Sequence, residues 1–240
     1  MQDHLRAPHN DYQLDYFESL ERARIAPGET PYVLAHVERM IAEVLLAPGQ
    51  SILEVGSGLG KFTLPLAARG YRITANDLSP RLLERLDQAA EGRVTTVCCD
   101  IHDIERHVET PFDRIIGFFV LHHLVEFDEA FRALSRVMQP GGRIAFCEPV
   151  AWNPLYYFQI LATPGMRFAG EPSITAMRPG IILPALSQAG FVETSSRTYG
   201  YFPPFVKNRA WGEKLEGWLD ARPFVPFPNA FQVFTARMPG

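Results

Sequence analysis

Between residues 51 and 149, short apolar runs of β type alternate with longer stretches of helical period. Strands separated by helices of that length are the pattern of βαβ units and a parallel sheet. The runs place strands at Ser51–Gly56, Tyr71–Asn76, Arg93–Cys99, Asp113–Phe119 and Gly142–Glu148. Helices are predicted between them over Lys61–Arg69, Pro80–Ala90, a short piece near Ile104–Val108, and Glu126–Met138. Ser79 before Pro80 has the form of an N-cap with proline at the first helical position. Gln139-Pro140-Gly141-Gly142 is expected to end a helix and turn into the next strand.

The flanks differ in texture from this core. Residues 1–49 read as a helical cap, with a polar start holding Tyr12, Tyr16 and Phe17 and an amphipathic helix across Pro31–Leu46. Residues 150–240 read as a lid and terminal strands. Val150–Pro179 mixes aromatics with Pro and Gly, Gly180–Ala189 is helical, and Phe191–Thr198 and Asn229–Met238 are strands. Between those strands, Tyr199–Pro228 holds a helix carrying Trp211 and Trp218. No internal repeat or low-complexity tract interrupts the chain.

Composition narrows the function classes. At 240 residues and 47% hydrophobic content the chain can bury a large core without a metal or disulfide staple. Lys and Arg number 23 against 27 Asp and Glu, a net charge of −4 that argues against nucleic acid as a partner. Cys98, Cys99 and Cys147 do not make a disulfide framework, so a reducing cytoplasm is expected. No stretch reaches the roughly 18 apolar residues of a membrane span, and no metal-ligand spacing is read.

The chemistry concentrates in Ile52-Leu53-Glu54-Val55-Gly56-Ser57-Gly58-Leu59-Gly60, a buried strand that opens through glycines into a helix. Glycine permits the tight turn and lets backbone approach a ligand with no Cβ between. A dinucleotide fingerprint would place its third glycine at position 61, where Lys61 stands, and the Gly-Lys-Ser/Thr ending of a phosphate loop is absent. About 20 residues on, Asp77 follows the second strand, where a carboxylate can accept both hydroxyls of a ribose. Cys98-Cys99-Asp100-Ile101 ends the third strand, Gly117-Phe118-Phe119-Val120-Leu121-His122-His123 the fourth, and Leu134–Arg143 spans the passage into the fifth.

In that order the five segments resemble the motifs of class I S-adenosylmethionine-dependent methyltransferases, with the Leu-His-His ending of the small-molecule and quinone-type branches. The resemblance covers residues 31–149. It implies a Rossmann-like, doubly wound α/β sheet of seven strands, mostly parallel with an antiparallel last strand, and S-adenosylmethionine as cofactor. It implies cofactor contacts from Glu54, Gly56, Ser57, Gly58, Gly60, Asp77, Leu78, Asp100, Ile101, Gly117 and Phe118; Tyr16 or Tyr12 is a candidate over the sulfonium, as are Trp152, Tyr156, Tyr157 and Phe158, which read equally as lid core.

Two residues compete for catalytic roles. His122 has the intrinsic pKa of a general base near neutrality, but it reads equally as packing. Glu148 is an alternative base, and its other reading is a hydrogen bond to loop backbone. The expected acceptor is a small, partly apolar metabolite, O-methylated in secondary metabolism, with C- or N-methylation of a quinone-like or amine acceptor as the alternative. No Asn/Asp-Pro-Pro-Tyr/Phe element follows the fourth strand, which argues against amino-methylation of DNA bases or glutamine. A monomer or homodimer is expected. The rivals are a non-catalytic nucleoside-binding module and an NAD-dependent oxidoreductase.

Overall fold

A computed structural model of the chain describes residues 3–19, 26–109, 111–162, 166–222 and 228–240. Its centre is a seven-stranded sheet: β1 (Ser51–Val55), β2 (Arg72–Asp77), β3 (Val94–Cys98), β4 (Phe112–Phe118), β5 (Met138–Pro149), β6 (Val192–Tyr199) and β7 (Phe231–Arg237). The order is β3-β2-β1-β4-β5-β7-β6, with β7 antiparallel to both of its neighbours and β1 to β5 parallel. The Rossmann-like, mostly parallel sheet expected from the sequence is the one found.

Strand burial follows position in that order. β1 lies at the centre and is buried on both faces after Ser51, which is why it reads as an unbroken apolar run apart from Glu54. β6, at one edge, is largely exposed and polar, which blunts its unpaired side. Leu53, Ile115 and Phe146 point to one face, where α5 (Phe127–Arg136) and α7 (Pro179–Gln188) cover them with Phe131, Leu134, Ile182 and Leu186. Ile52, Ile116 and Ala145 point to the other, under α2 (Pro31–Val44), α3 (Thr63–Ala68) and α4 (Pro80–Ala90).

Two helices start as the sequence dictates. Ser79 accepts from Leu82 N (3.2 Å) and Thr30 from Val33 N (3.3 Å), each followed by proline at the first helical position.

The passage into the fifth strand departs from expectation, and the flanks resolve into helices. The helix expected over Glu126–Met138 stops at Arg136, and Pro140-Gly141-Gly142 lies inside β5 rather than before it. From Met138 to Arg143 β5 advances five residues while β4 advances two, Phe112 to Arg114, so the surplus forms a bulge. Gly141 takes the φ of +75° that this requires. The polar start of the chain is α1 (Asp3–Ser19), and the aromatic segment after β5 contains α6 (Pro154–Ala162). The Trp211–Trp218 segment is α9 (Ala210–Asp220), preceded by α8 (Pro204–Lys207).

Candidate active site

The connection from β3 to β4 crosses the sheet, so the chain runs outward in opposite directions from β1 and β4. In sheets of this kind ligands bind in the crevice outside the carboxyl ends of the strands at that switch point. A cavity of about 240 Å³ lies there, lined by the glycine turn after β1, the ends of β2 and β4, and one face of α1.

The glycine turn is fixed by close approach. A Cβ on Gly56 would come within 2.4 Å of the Val120 side chain, at a φ of +67° that also disfavours other residues. Asp77 ties the turn to β2: its Oδ2 accepts from Gly58 N (2.7 Å) and its Oδ1 from Ser79 N (3.0 Å). Burial pushes the Asp77 carboxyl up, against the downward pull of these backbone donors. Beneath the turn Glu54 is buried, and among the described residues its Oε2 has no hydrogen-bond partner. Burial raises its pKa to about 8, the Thr63 hydroxyl opposes the shift, and the charge of Asp77 adds to it.

Asp100 caps the 3-10 turn Ile101–Arg106. It accepts from His102 N (3.0 Å), His102 Nδ1 (2.6 Å) and, across the crevice, Asn10 Nδ2 of α1 (2.6 Å). Burial disfavours its charge, but these donors outweigh burial and hold the carboxyl well below the usual range. His9, Asn10, Gln13, Leu14 and Phe17 share one face of α1, at steps of one and three residues, and all line the cavity. His9 Nε2 lies 2.7 Å from His123 O, and Ser79 Oγ donates to Glu18 (2.6 Å). α1 is therefore strapped across the crevice at three points, a role its polar sequence did not announce.

Past β4, His122 sits on a 3-10 turn between two buried glutamates. Its Nδ1 donates to Glu148 Oε2 (2.5 Å), and Glu148 Oε1 accepts from Val120 N (2.9 Å) and Leu121 N (2.7 Å). Its Nε2 lies 2.8 Å from Glu171 Oε2 and 3.2 Å from the Tyr156 hydroxyl, which itself donates to Glu171 (2.9 Å). Burial works to lower the His122 pKa, but the charge of Glu148 and hydrogen bonds to both glutamates outweigh it and raise the value to about 9.

Opposite α1 the cavity is walled by Tyr32, Phe62, Phe118, Phe119 and Phe231, with Lys61 Nζ 5.4 Å from the Tyr32 ring centre. Behind this wall His36 is fully buried and bonded to the Tyr199 hydroxyl (2.5 Å). Burial, with the charges of Lys61 and Lys207, lowers its pKa to about 3.

The structure sorts the expected residues. Gly56, Ser57, Gly58, Asp77, Leu78, Asp100, Ile101, Phe118 and His122 line the cavity; Glu54, Gly60, Gly117, Glu148 and Tyr16 are not among its lining residues. Gly117 is required by packing, since a Cβ there would lie 2.6 Å from Phe146. Tyr16 packs on Gly170 and donates to Glu171 (3.5 Å), and its neighbour Phe17 takes the lining position instead. His122, expected as a base, has both ring nitrogens engaged, by Glu148 and by Glu171, and Glu148 makes the loop-backbone bonds of its other reading. Glu171 and the Tyr156 hydroxyl had no local sequence signal.

Residues 53–146, which run from within β1 through the glycine turn to most of β5, match the family model described as methyltransferase domain. Over those residues the chain carries a methyltransferase domain of the S-adenosylmethionine-dependent kind. The methyltransferase domain is similar to demethylmenaquinone methyltransferase of Clavibacter sepedonicus, 29% identical over 179 residues, covering 74% of this chain and 66% of that protein. It is similar also to the tRNA 5-carboxymethoxyuridine methyltransferase of Escherichia coli strain K12, 30% identical over 112 residues, covering 44% of this chain and 42% of that one. The chain thus spans between two fifths and two thirds of the length of these relatives. Its fold matches Haemonchus contortus phosphoethanolamine N-methyltransferase 2 in complex with S-adenosylmethionine, with a TM-score of 0.63 at 18% identity, over 95% of this chain and 56% of that one. A second match is an S-adenosylmethionine-dependent methyltransferase from Archaeoglobus fulgidus, with a TM-score of 0.61 at 15% identity, over 88% and 95%.

S-adenosylmethionine is the cofactor of such a domain. The residues present fit it. The Gly56 turn would be filled by any side chain, and three buried polar groups beside the crevice, Ser57 Oγ, Glu54 Oε2 and the Gln13 amide, lack hydrogen-bond partners among the described residues. Among the described residues no helix is long and apolar enough to cross a membrane.

Proposed function

We propose that the chain transfers the methyl group of S-adenosylmethionine to a small, partly apolar acceptor held against the aromatic wall. The observation that carries this reading is one cavity with two chemically different sides: backbone turn and carboxylates on one, aromatic rings on the other. S-adenosylmethionine supplies an electrophilic methyl on a positively charged sulfur. The chain supplies position and exclusion of water. A carboxylate has about four acceptor sites. Asp77 takes backbone donors from Gly58, Ser79 and Leu78 and keeps capacity for a sugar hydroxyl; Asp100 uses three sites and keeps one, on Oδ2, for an exocyclic amine. Glu54, Gly60, Gly117 and Glu148 support these contacts from behind, by shaping the turn and the loop after β4.

Because both ring nitrogens of His122 are engaged by buried carboxylates, the acceptor in this reading arrives ionised or loses its proton without that ring. A phenol- or enol-like oxygen meets this condition, so O-methylation in secondary metabolism stands first. The demethylmenaquinone methyltransferase relatives favour a second reading, carbon methylation of a quinone-like ring. The net charge of −4 and the mainly apolar wall favour a small acceptor over RNA, although a tRNA methyltransferase is among the relatives. The three free cysteines fit a cytoplasmic setting, and a monomer or homodimer remains the assembly proposed.

Titration calorimetry with S-adenosylhomocysteine and NADH side by side tests the cofactor assignment, with binding expected for the first alone. Asp77→Ala is expected to weaken nucleoside binding by at least about 1.5 kcal/mol, the scale of hydrogen bonds to a charged group. Unchanged affinity would remove the ribose role. Mass spectrometry of products from hydroxylated aromatics and quinols then separates oxygen from carbon methylation.

A further inference from the structure

We infer that His122, His123 and Glu171 form a binding site for a single zinc-like divalent cation on the cavity wall. One ligand atom from each of the three lies within 4.8 Å of the other two. Glu171 Oε2 is 2.8 Å from His122 Nε2 and 4.0 Å from His123 Nε2.

The remaining ring nitrogens are what point to a metal rather than to a chance cluster. A histidine that ligates metal almost always donates its other ring N–H to a carboxylate or a backbone carbonyl, which fixes the tautomer and aims the ring. Here both forms occur side by side. His122 Nδ1 is held by Glu148 and His123 Nδ1 by the carbonyl of Gly170 (2.7 Å). Glu148 is in turn fixed by two backbone N–H groups, so the support extends one layer further. Both rings are thereby turned towards the same carboxylate.

Two imidazoles and one carboxylate are a donor set that suits zinc better than magnesium or calcium, which prefer all-oxygen cages. Zinc–nitrogen and zinc–oxygen distances of about 2.0–2.2 Å put neighbouring ligands roughly 3.3 Å apart. The 2.8 Å contact must open and the 4.0 Å contact close, each by roughly half an ångström. Charge favours the exchange: His122 lies between two buried carboxylates, and a dication taking the place of its proton offsets both. His122, His123 and Tyr156 line the cavity, which gives the ion a route in.

A hydrogen-bonded network with no metal would use the same atoms, and the following experiment separates the two. The full chain is dialysed against a chelator and then titrated with zinc(II) in competition with a chromophoric chelator, and separately with cobalt(II). One equivalent of zinc is expected to bind with release of a proton, and cobalt is expected to show the visible bands of four- or five-coordination. His123→Gln and Glu171→Gln are each expected to abolish stoichiometric uptake, with circular dichroism confirming the His123→Gln fold. Glu148→Gln keeps the ligands but removes an anchor, and is expected to weaken uptake roughly 10- to 100-fold. Absence of stoichiometric uptake by the unaltered chain, or unchanged uptake by folded His123→Gln, overturns the site. Uptake is read without nucleoside or acceptor, so its failure leaves the methyl-transfer reading standing.

Discussion

Gly56 and His36 are the single positions where the physics is sharpest. Gly56→Ala meets a left-handed φ, about 1–2 kcal/mol for an L side chain, and a collision with Val120 of the order of 1–3 kcal/mol. Its melting temperature is expected to fall and its S-adenosylhomocysteine binding to disappear. Adding Val120→Ala relieves the collision but not the φ, so recovery is expected to be partial. His36 titrates lower in the fold than in the unfolded chain, where 6.5 applies, so the unfolded state binds the extra proton. Its contribution is complete above pH 6.5 and is lost as pH falls toward about 3, at up to about 1.4 kcal/mol per pH unit. Urea midpoints across that range are expected to show the slope, and His36→Gln to flatten it. Residues of the glycine turn, with Asp77 and Asp100, were legible because their roles follow from local spacing after a strand. Glu171 was not, since it reaches His122 only through the fold of the segment after β5.

α1 shows what periodicity misses. Its inward face holds His9, Asn10 and Gln13 beside Leu14 and Phe17, so no apolar stripe marks it; the stripe it lacks is replaced by polar contacts across the crevice. α6 fails for the opposite reason: Leu155, Tyr156, Tyr157, Phe158, Ile160 and Leu161 leave no polar face from which to read a period. The end of α5 was misplaced because Pro-Gly-Gly after a helix usually means a turn, whereas here it builds a bulge within β5. If α1 closes over bound nucleoside, its amides are expected to exchange more slowly with S-adenosylhomocysteine present, while those of α7 barely change. Asn10→Ala, which removes a hydrogen bond to a charged carboxylate, is expected to weaken binding by about 1.5–3 kcal/mol. Equal exchange in both helices would refute the closing role.

Across the whole molecule, ligand and solvent effects are separable by the right probe. A nucleoside bound only by the folded state, at about a hundred times its dissociation constant, adds about 2.7 kcal/mol and should raise the melting temperature by roughly 5–10 °C. Tryptophan fluorescence is a poor reporter of that shift. Trp152, Trp211 and Trp218 are 70%, 60% and 53% exposed, so the folded chain is expected to emit at long wavelength and to be quenched readily by acrylamide. Emission shielded from quencher would mean those faces are covered in solution. The sheet order has one more consequence. β6 is made before β7 but bonds to the rest of the sheet only through it, since β7 lies between β5 and β6. A nascent chain leaving the ribosome therefore holds five strands ready to pair and a sixth with nowhere to dock, until β7 slides in like a key and locks both sides.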